Sequence, residues 1–274
     1  VDLKSYTDTA YHNEELKSLT RYRFEKVQER AKLKQSVSRL VTILFPELEQ
    51  LVPTLHIASV YSVLSEYPGA KQVSEVHLTK LTNLLTTASK GHYGKDKAIQ
   101  MRDVARTSIG SVMPAKSLEL KHTIKLIREL TSEIDEIEVS IQKIMDELNP
   151  PILSIPGVGI QSAAMILAEI GDFSNFESPD KILAYAGCSP STYQSGKLTN
   201  CYAHMEKRGS RYLRYALYNA TKYVCHWNPV FAKYLAKKRA EGKHYNVALS
   251  HATKKLVRLI YALQKSGKAY LTAA

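Results

Sequence analysis

Residues 153–200, LSIPGVGIQSAAMILAEIGDFSNFESPDKILAYAGCSPSTYQSGKLTN, contain the pattern that decides the fold. The stretch opens with Pro156-Gly157-Val158-Gly159, and an alanine-rich apolar run of helical length follows. Proline disfavours the continuation of an entering helix, whereas glycine permits a positive φ and leaves no Cβ between the backbone and a ligand. We therefore predict a helix, a tight hairpin at Gly157 and Gly159, and a second helix.

The second helix of this hairpin would begin just after Gly159. Its first N–H groups and the positive end of its dipole would suit a phosphate. This is the helix-hairpin-helix pattern of proteins that bind DNA without reading its sequence. A glycine turn between two core helices is the alternative interpretation, since so short a motif is only moderately specific.

A cluster of turn formers and hydroxyls follows at residues 186–197, AGCSPSTYQSGK. This composition is typical of an exposed loop. A basic, tyrosine-rich region comes next in the chain. The step Ser195-Gly196 would thus place a hydroxyl beside a DNA backbone, between a phosphate-binding hairpin and a cationic helix.

The net positive charge of the chain comes from its last third, because Lys and Arg are nearly balanced by Asp and Glu in the residues before it. The net charge is +12, and residues 197–274 contain 16 Lys and Arg against 2 Asp and Glu. Such a field favours a polyanion, of which nucleic acid is the commonest. A solubilising basic face is the alternative, although it would usually include more interspersed acids.

Apolar residues recur at three- and four-residue steps through most of the chain, so we predict a mainly α fold. After a tail at 1–12, the helices predicted from this spacing are 13–45, 47–66, 76–89, 95–108, 116–148, 207–224, 231–239 and 245–265. We assign 1–115 to a helical region, 116–149 to a long coiled-coil helix and 150–274 to a C-terminal domain that contains the helix-hairpin-helix.

The helix over 116–148 has a heptad seam that lasts about three repeats. Its members are Ile127, Leu130, Ile134, Ile137, Ile141, Ile144 and Leu148. One interpretation is a coiled coil between protomers, and the other is an antiparallel hairpin with an earlier helix such as 16–44. The sequence alone leaves both open.

The predicted helix over 207–224 has a stripe of cationic and aromatic side chains. The stripe consists of Arg211, Arg214, Tyr215, Tyr218 and Lys222. Arginine can bind phosphate with two parallel hydrogen bonds, and tyrosine can stack on bases. For any one tyrosine, packing with a solvated hydroxyl is the alternative.

Four motifs occur in a fixed order: Ile155-Pro156-Gly157-Val158-Gly159, AYAGCSP at 184–190, Tyr193-Gln194-Ser195-Gly196, and RGSRYLRYAL at 208–217. From about Ser154 onward the chain resembles the C-terminal domain of bacterial insertion-sequence transposases that pair a RuvC-like DEDD domain with a serine-bearing domain, the bridge-RNA-guided recombinases. A looser resemblance covers the helical region upstream.

This resemblance implies that Ser195 is a nucleophile that attacks a DNA phosphodiester and holds the strand as a phosphoserine ester. The cations nearest in sequence, Lys197, Arg208, Arg211 and Arg214, would stabilise the developing charge. Together with the hairpin, the expected DNA-binding set is Gly157, Gly159, Lys197, Lys207, Arg208, Arg211, Arg214 and Lys222.

In the family, Mg²⁺ held by the RuvC-like acids completes the site. Asp2 and Asp8 have the wrong surroundings for those acids, so no metal ligand is assigned in this chain. The first residue is Val1 and not Met, and we expect a fragment that lacks most of the RuvC-like part and is inactive alone. Cys188, Cys201 and Cys225 fit a reducing compartment, and a zinc site is not expected because four suitably spaced ligands are missing.

The expected partners are DNA, a guide RNA and further copies of the chain through residues 116–148. Neither a signal peptide nor an apolar run long enough for a membrane span occurs, so we expect a cytoplasmic, nucleoid-associated bacterial protein. Two other functions are kept open. One is a non-catalytic DNA- or RNA-binding module, and the other is an interaction protein built around the heptad helix.

Overall fold

The computed structural model describes residues 8–189, 194–195, 198–199 and 205–271, with side chains described over 12–189 and 205–271. In chain order the helices are α1 Asp8–Leu44, α2 Leu48–Leu51, α3 Ala58–Glu66, α4 Ala70–Glu75, α5 Leu78–Ala88, α6 Lys95–Arg106, α7 Pro114–Leu148, α8 Ile160–Ile170, α9 Pro179–Tyr185, α10 Arg211–Trp227, α11 Pro229–Ala240 and α12 Tyr245–Ser266. Single 3₁₀ turns occupy Pro151–Ser154 and Phe173–Asn175. The strands β1 Gln194–Ser195 and β2 Leu198–Thr199 pair antiparallel.

The predicted mainly α fold is confirmed, and the errors lie at helix ends. The helix predicted over 47–66 is two helices, α2 and α3, because an extended segment through Pro53 separates them. A helix also precedes the one predicted at 76–89, since α4 begins at the Gly69 N-cap. The expected tail at 1–12 is helical from Asp8, whereas α10 begins at Arg211, two residues after Gly209, in line with the helix predicted after that glycine.

The chain divides into two compact units, which do not follow the predicted domain boundaries. The middle unit is Phe24–Glu136, and the terminal unit joins Val1–Arg23 to Ile137–Ala274. The long helices α1 and α7 are each divided between the units, with one segment in the terminal unit and another in the middle unit.

The middle unit has its own apolar core. The ends of α1 and α7 that belong to this unit pack with the short helices α3 to α6, and the core includes Leu44, Leu64, Leu81, Met101 and Ile124. The Glu47 carboxylate accepts from Ser108 Oγ at 2.5 Å and from the backbone N–H of Ile109 at 3.0 Å. These bonds hold the connection between α6 and α7 on the end of α1.

In the terminal unit α10 is the central helix. It packs on α8, α11 and α12, and α12 also packs on α9. The apolar side of α10 is buried at Leu213, Ala216, Leu217, Ala220 and Val224. Both the hairpin helix α8 and the final helix α12 pack on α10.

The heptad seam of α7 packs within the chain. In the terminal unit Arg23 Nη2 pairs with Glu138 at 2.5 Å, and in the middle unit Lys26 Nζ pairs with Glu133 at 2.9 Å. As positions rise on α1 they fall on α7, so the two helices pair antiparallel. The seam residues Ile127, Ile134, Ile137 and Ile141 are buried. The intramolecular hairpin therefore describes this seam, and the predicted homo-oligomer through residues 116–148 loses the observation that suggested it.

Among the described residues, no helix combines the length and the apolar character required to cross a membrane.

Candidate nucleic-acid interface

The glycine hairpin joins the 3₁₀ turn Pro151–Ser154 to α8. The first helix of the predicted pair is therefore this single 3₁₀ turn and not an α-helix. The N–H of Val158 donates to the Ile155 carbonyl at 3.0 Å, with Pro156 and Gly157 at the two central positions of the turn. Gly157 has a φ of +94°, as a Pro-Gly turn of type II requires.

The two hairpin glycines have different roles. A Cβ on Gly157 would lie 2.6 Å from the carbonyl carbon and oxygen of Tyr223, so this glycine permits the close packing of the turn on α10. Gly159 is the N-cap of α8 with a φ of −85°, and a Cβ there would meet nothing within 4 Å. Gly157 therefore uses the positive φ that glycine permits, whereas Gly159 does not. Gly157 faces α10, whereas DNA binding by either glycine stays a prediction.

Two further turns, at residues 184–189 and 206–210, pack backbone against backbone. A Cβ on Gly187 would overlap the Arg208 carbonyl oxygen, and a Cβ on Gly209 would overlap the Tyr185 carbonyl oxygen. Both glycines have a positive φ, +65° and +104° respectively. No other residue type fits either position without moving the neighbouring turn.

Hydrogen bonds tie the two turns together. The N–H of Glu206 donates to the Ser189 carbonyl at 3.1 Å, and the N–H of Lys207 donates to the Gly187 carbonyl at 3.1 Å. Arg214 Nη1 donates to Ala186 O at 3.0 Å and to Lys207 O at 3.1 Å. Arg214 therefore cross-links the turns, a role that its predicted phosphate contact did not include.

The predicted nucleophile lies between these turns in the chain. Ser195 belongs to β1, where it pairs with Leu198 of β2. Its side chain lies outside the described part of the chain, and Lys197 lies outside it entirely. Ser195 is six positions after Ser189, so its backbone lies within about 22 Å of Ser189.

Three of the predicted cations lie close together in sequence at the second turn and the start of α10, and one lies further along the helix. Lys207 and Arg208 are exposed in the second turn, Lys207 with a φ of +57°, and they precede α10 instead of belonging to it. Arg211 is exposed in the first turn of α10 and donates to the Tyr212 hydroxyl at 2.8 Å. Lys222 is exposed about three helical turns further along α10, so it is set apart from this cluster.

A buried carboxylate anchors the start of α10. Glu169 has a fully buried side chain, to which Arg21 Nε donates at 2.6 Å and Ser210 Oγ donates at 2.6 Å. Ser210 Oγ in turn caps α10 by accepting from the N–H of Leu213 at 3.1 Å. The Arg21 guanidinium lies over the Tyr212 ring, 4.8 Å from its centroid. Glu169 thus links α8, α1 and the N-terminus of α10.

Sequence reasoning missed this group of side chains. The available signal was one acid inside the apolar run of α8, in which residues 163–170 are all buried. Its partner Arg21 lies 148 positions earlier, so no local pattern could have paired them.

We expect Glu169→Gln to lower the free energy of unfolding by about 2 kcal/mol at neutral pH, because it removes one partner of a pair whose other member is partly hydrated. Burial alone would raise the pKa of Glu169, but the hydrogen bonds from Arg21 and Ser210 outweigh it and lower the pKa below the usual 4.5. A lowered pKa gives stability that is present above pH 4.5 and lost as pH falls through the folded-state value.

The difference in unfolding free energy between Glu169→Gln and the unmodified chain should therefore shrink below pH 4.5. Urea unfolding at several pH values measures it. Glu177→Gln, at an exposed carboxylate in the same unit, serves as the control. A difference that does not change with pH would mean that Glu169 is not ionised in the fold.

The outer face of α10 presents three aromatic rings at intervals of eight and four residues. Tyr215, Tyr223 and Trp227 are 42%, 60% and 64% exposed. Lys222 lies beside them with its ammonium 5.2 Å from the Tyr218 ring centroid, and His226 meets Trp227 edge-on at 4.9 Å. Exposed rings flanked by cations are the platform on which nucleotide bases stack.

The glycine hairpin and this aromatic face enclose one cavity of about 490 Å³. Its walls are residues 157–162 on one side and Tyr223 and Trp227 on the other. The N-terminus of α8 and two stacking surfaces therefore meet at one place in the terminal unit.

No cluster of three His, Cys, Asp or Glu side chains that could hold a metal occurs within the described ranges. The residues present there do not fit the Mg²⁺ that the resemblance implies. Cys188 and Cys225 are buried, and burial raises the pKa of the Cys225 thiol to about 11. Cys201 and His204 lie outside the described residues.

The segment that contains these features also matches a known family. Residues 149–236 match the sequence profile of the Transposase IS116/IS110/IS902 family. Over this segment the chain is similar to insertion-element transposases. The matching segment includes the glycine hairpin, both packed turns and all of α10.

Proteins of insertion elements are also among the relatives of the chain. The chain is 24% identical to the insertion element IS116 uncharacterized 44.8 kDa protein of Streptomyces clavuligerus, over 94% of this chain and 65% of that protein. It is 28% identical to the insertion element IS110 uncharacterized 43.6 kDa protein of Streptomyces coelicolor, over 49% of this chain and 33% of that protein.

A third relative is the pilin gene-inverting protein of Moraxella bovis, with 26% identity over 53% of this chain and 47% of that protein. The chain therefore spans less than two thirds of the length of each of these relatives. The similarity to insertion-element transposases agrees with the resemblance noted in the sequence. The RuvC-like partner domain, the guide RNA and the serine mechanism stay predictions.

Proposed function

We propose that this chain is the DNA-rearranging part of an insertion-element recombinase, and that Ser195 is its nucleophile. The hydroxyl oxygen of Ser195 would bond to a DNA phosphorus as the bond to one strand oxygen breaks. The strand is then held as a phosphoserine ester until a second strand oxygen displaces the serine. Splitting the exchange into two such steps conserves the energy of the phosphodiester bond.

The observation that carries this proposal is the pair of packed turns. Ser189 and Glu206, which flank the segment that contains Ser195, are joined by a main-chain hydrogen bond. Arg208 is exposed and Arg214 is half-buried near this bond. Ser195 would attack a phosphate that these cations hold, and fixed cations near the reacting phosphorus stabilise its developing charge.

Further parts of the proposal concern the whole protein. We expect Mg²⁺ to be held, in the complete enzyme, by acidic residues that this chain does not contain, and no step above passes through it. We also expect a guide RNA and assembly into oligomers, with action on DNA in the bacterial cytoplasm.

The test traps the ester. The protein encoded by the complete reading frame is incubated with a nicked DNA that carries the element ends, and the covalent adduct is digested and mapped by peptide mass spectrometry. The modified residue is expected to be Ser195. An adduct on Ser189 or Ser191, or strand exchange without any protein–DNA bond, contradicts the proposal.

A second candidate function is nucleic-acid binding without chemistry in this chain. The cavity between the start of α8 and the aromatic face of α10 favours it, since phosphate and base contacts are available there together. Binding that persists while no covalent adduct forms would favour this second function over the first.

We expect Trp227→Ala to weaken the binding of single-stranded DNA about tenfold, since stacking on one ring contributes about 1–3 kcal/mol per base. The exposed ring leaves no cavity when it is removed, so the melting temperature should change little. Fluorescence anisotropy with a labelled oligonucleotide measures the affinity. Trp227→Phe should retain most of it, and Val247→Ala, at a half-exposed apolar residue of α12, is the control. Equal loss in the control would exclude stacking at Trp227.

A further inference from the structure

The middle unit contains a second cavity, of about 620 Å³, between α1, α3, α5 and α7. Its size lies in the range of small-ligand sites. None of its residues belongs to 149–236, the segment that matches the transposase family. The helix N-terminus at Ala58 also lines it.

Cations from two helices face this cavity. Arg30 and Lys34 come from α1, and Arg128 comes from α7. No acid occurs among the described residues that line it. Arg30 and Lys34 are four residues apart, a spacing at which like charges on a helix repel. Burial and the nearby Arg30 charge lower the pKa of Lys34.

Neutral hydroxyl groups hold these side chains in place. Arg30 Nη1 donates to Thr131 Oγ1 at 3.2 Å, and Arg128 Nη2 donates to Ser62 Oγ at 3.3 Å. These bonds fix two guanidinium groups but leave their charge uncompensated. A carboxylate in either place would have formed an internal ion pair.

The remaining polar wall is also uncharged. His56 Nδ1 lies 2.9 Å from the Tyr61 hydroxyl, and its Nε2 lies 3.4 Å from Ser38 Oγ. Tyr61 is 7% exposed, and burial raises its pKa to about 12, so it contributes no negative charge. Burial and the Lys34 charge lower the pKa of His56, so the imidazole stays neutral near pH 7.

We propose that this cavity binds a phosphate group of a nucleic-acid strand, through Arg30, Lys34 and Arg128. Guanidinium groups match the oxygens of a phosphate with paired hydrogen bonds, and an ammonium group adds a point charge. The cavity is open along one side of the unit, as a site for one phosphate of a continuous strand must be. This site would extend the contact with nucleic acid beyond residues 149–236, the segment that matches the transposase family.

The test compares two double variants that remove the same charge. Lys34→Gln with Arg128→Gln empties the cavity of two cations, whereas Lys32→Gln with Lys125→Gln removes exposed lysines from the same two helices outside it. Affinity for 30-nucleotide single-stranded DNA, single-stranded RNA and duplex DNA is measured by anisotropy over a series of KCl concentrations.

We expect the cavity variant to bind at least one of these strands about tenfold more weakly than the control variant. The slope of log affinity against log salt should fall by about 1 more than in the control, because a phosphate contact releases counterions. The strand that shows the loss identifies the source of the phosphate. Equal affinities and slopes in the two double variants for all three strands overturn the proposal.

A melting experiment covers the remaining outcomes. Pyrophosphate should raise the melting temperature of the unmodified and control chains but not of the cavity variant. If pyrophosphate protects while all strand affinities are equal, the site takes a free phosphate compound, and the strand proposal is overturned. Should the cavity variant lose its helical circular dichroism, Arg128→Gln alone is used, since Arg128 is exposed. Because binding is measured, failure of the Ser195 mechanism leaves this result unaffected.

Discussion

Replacing Ser195 with alanine is expected to lower strand exchange by at least about a thousandfold, because the side chain then has no oxygen to attack phosphorus. The same change should leave the affinity for DNA within about twofold, since the 16 Lys and Arg of residues 197–274 are untouched. A loss of strand exchange with unchanged DNA affinity would show that Ser195 acts in the reaction and not in DNA binding.

The controls for this variant lie in the same segment. Ser189→Ala and Ser191→Ala remove hydroxyls that do not precede a glycine in the Tyr-x-Ser-Gly pattern. Both should retain exchange within a few-fold of the unmodified protein. The assay is strand exchange between element-end DNA substrates, resolved on denaturing gels. Exchange by Ser195→Ala near the normal rate would exclude Ser195 as the nucleophile.

Gly187→Ala is expected to destabilise the terminal unit by about 3 kcal/mol or more. The new Cβ would overlap the Arg208 carbonyl oxygen and lie 2.8 Å from Arg214 Nη1. The turns at 184–189 and 206–210 would have to separate, and the Arg214 hydrogen bonds that join them would break. Overpacking combined with a positive φ accounts for a loss of this size.

Gly267→Ala is the matched control for this prediction. Gly267 has a φ of +66°, against +65° for Gly187, but a Cβ there would meet nothing within 4 Å. We expect it to lose only about 1 kcal/mol from the left-handed backbone. Urea unfolding of both variants measures the difference. Equal losses would mean that backbone strain alone acts at Gly187 and that the turns are not in contact in solution.

The sequence predicted well where a pattern is local. The apolar spacing of α1, α7, α10 and α12 gave these helices to within a few residues, because the period of a buried helix face is repeated over several turns. The apolar spacing gave a wrong helix where a short extended segment interrupts it. Residues 47–66 have helical spacing throughout, but the extended backbone around Pro53 divides them into α2 and α3.

The sequence identified the motifs that contain Gly187 and Arg208, which lie together in the structure. It did not reveal the role of Arg214 as a cross-link between the two turns, because that role depends on carbonyl groups that no sequence pattern identifies. Glu169 was missed for the same reason, since its partners come from α1 and from the start of α10. The α7 seam shows the converse: its heptads were correct, but spacing does not identify which helix fills them.

The joined turns at 184–189 and 206–210 have a consequence for how such proteins diverge. Because Ser189 and Glu206 are hydrogen-bonded to each other, residues 190–205 begin and end at neighbouring points of the terminal unit. A change in the number or type of these residues therefore need not displace α9 or α10. We expect that this segment can be exchanged between two homologues with little loss of helical stability.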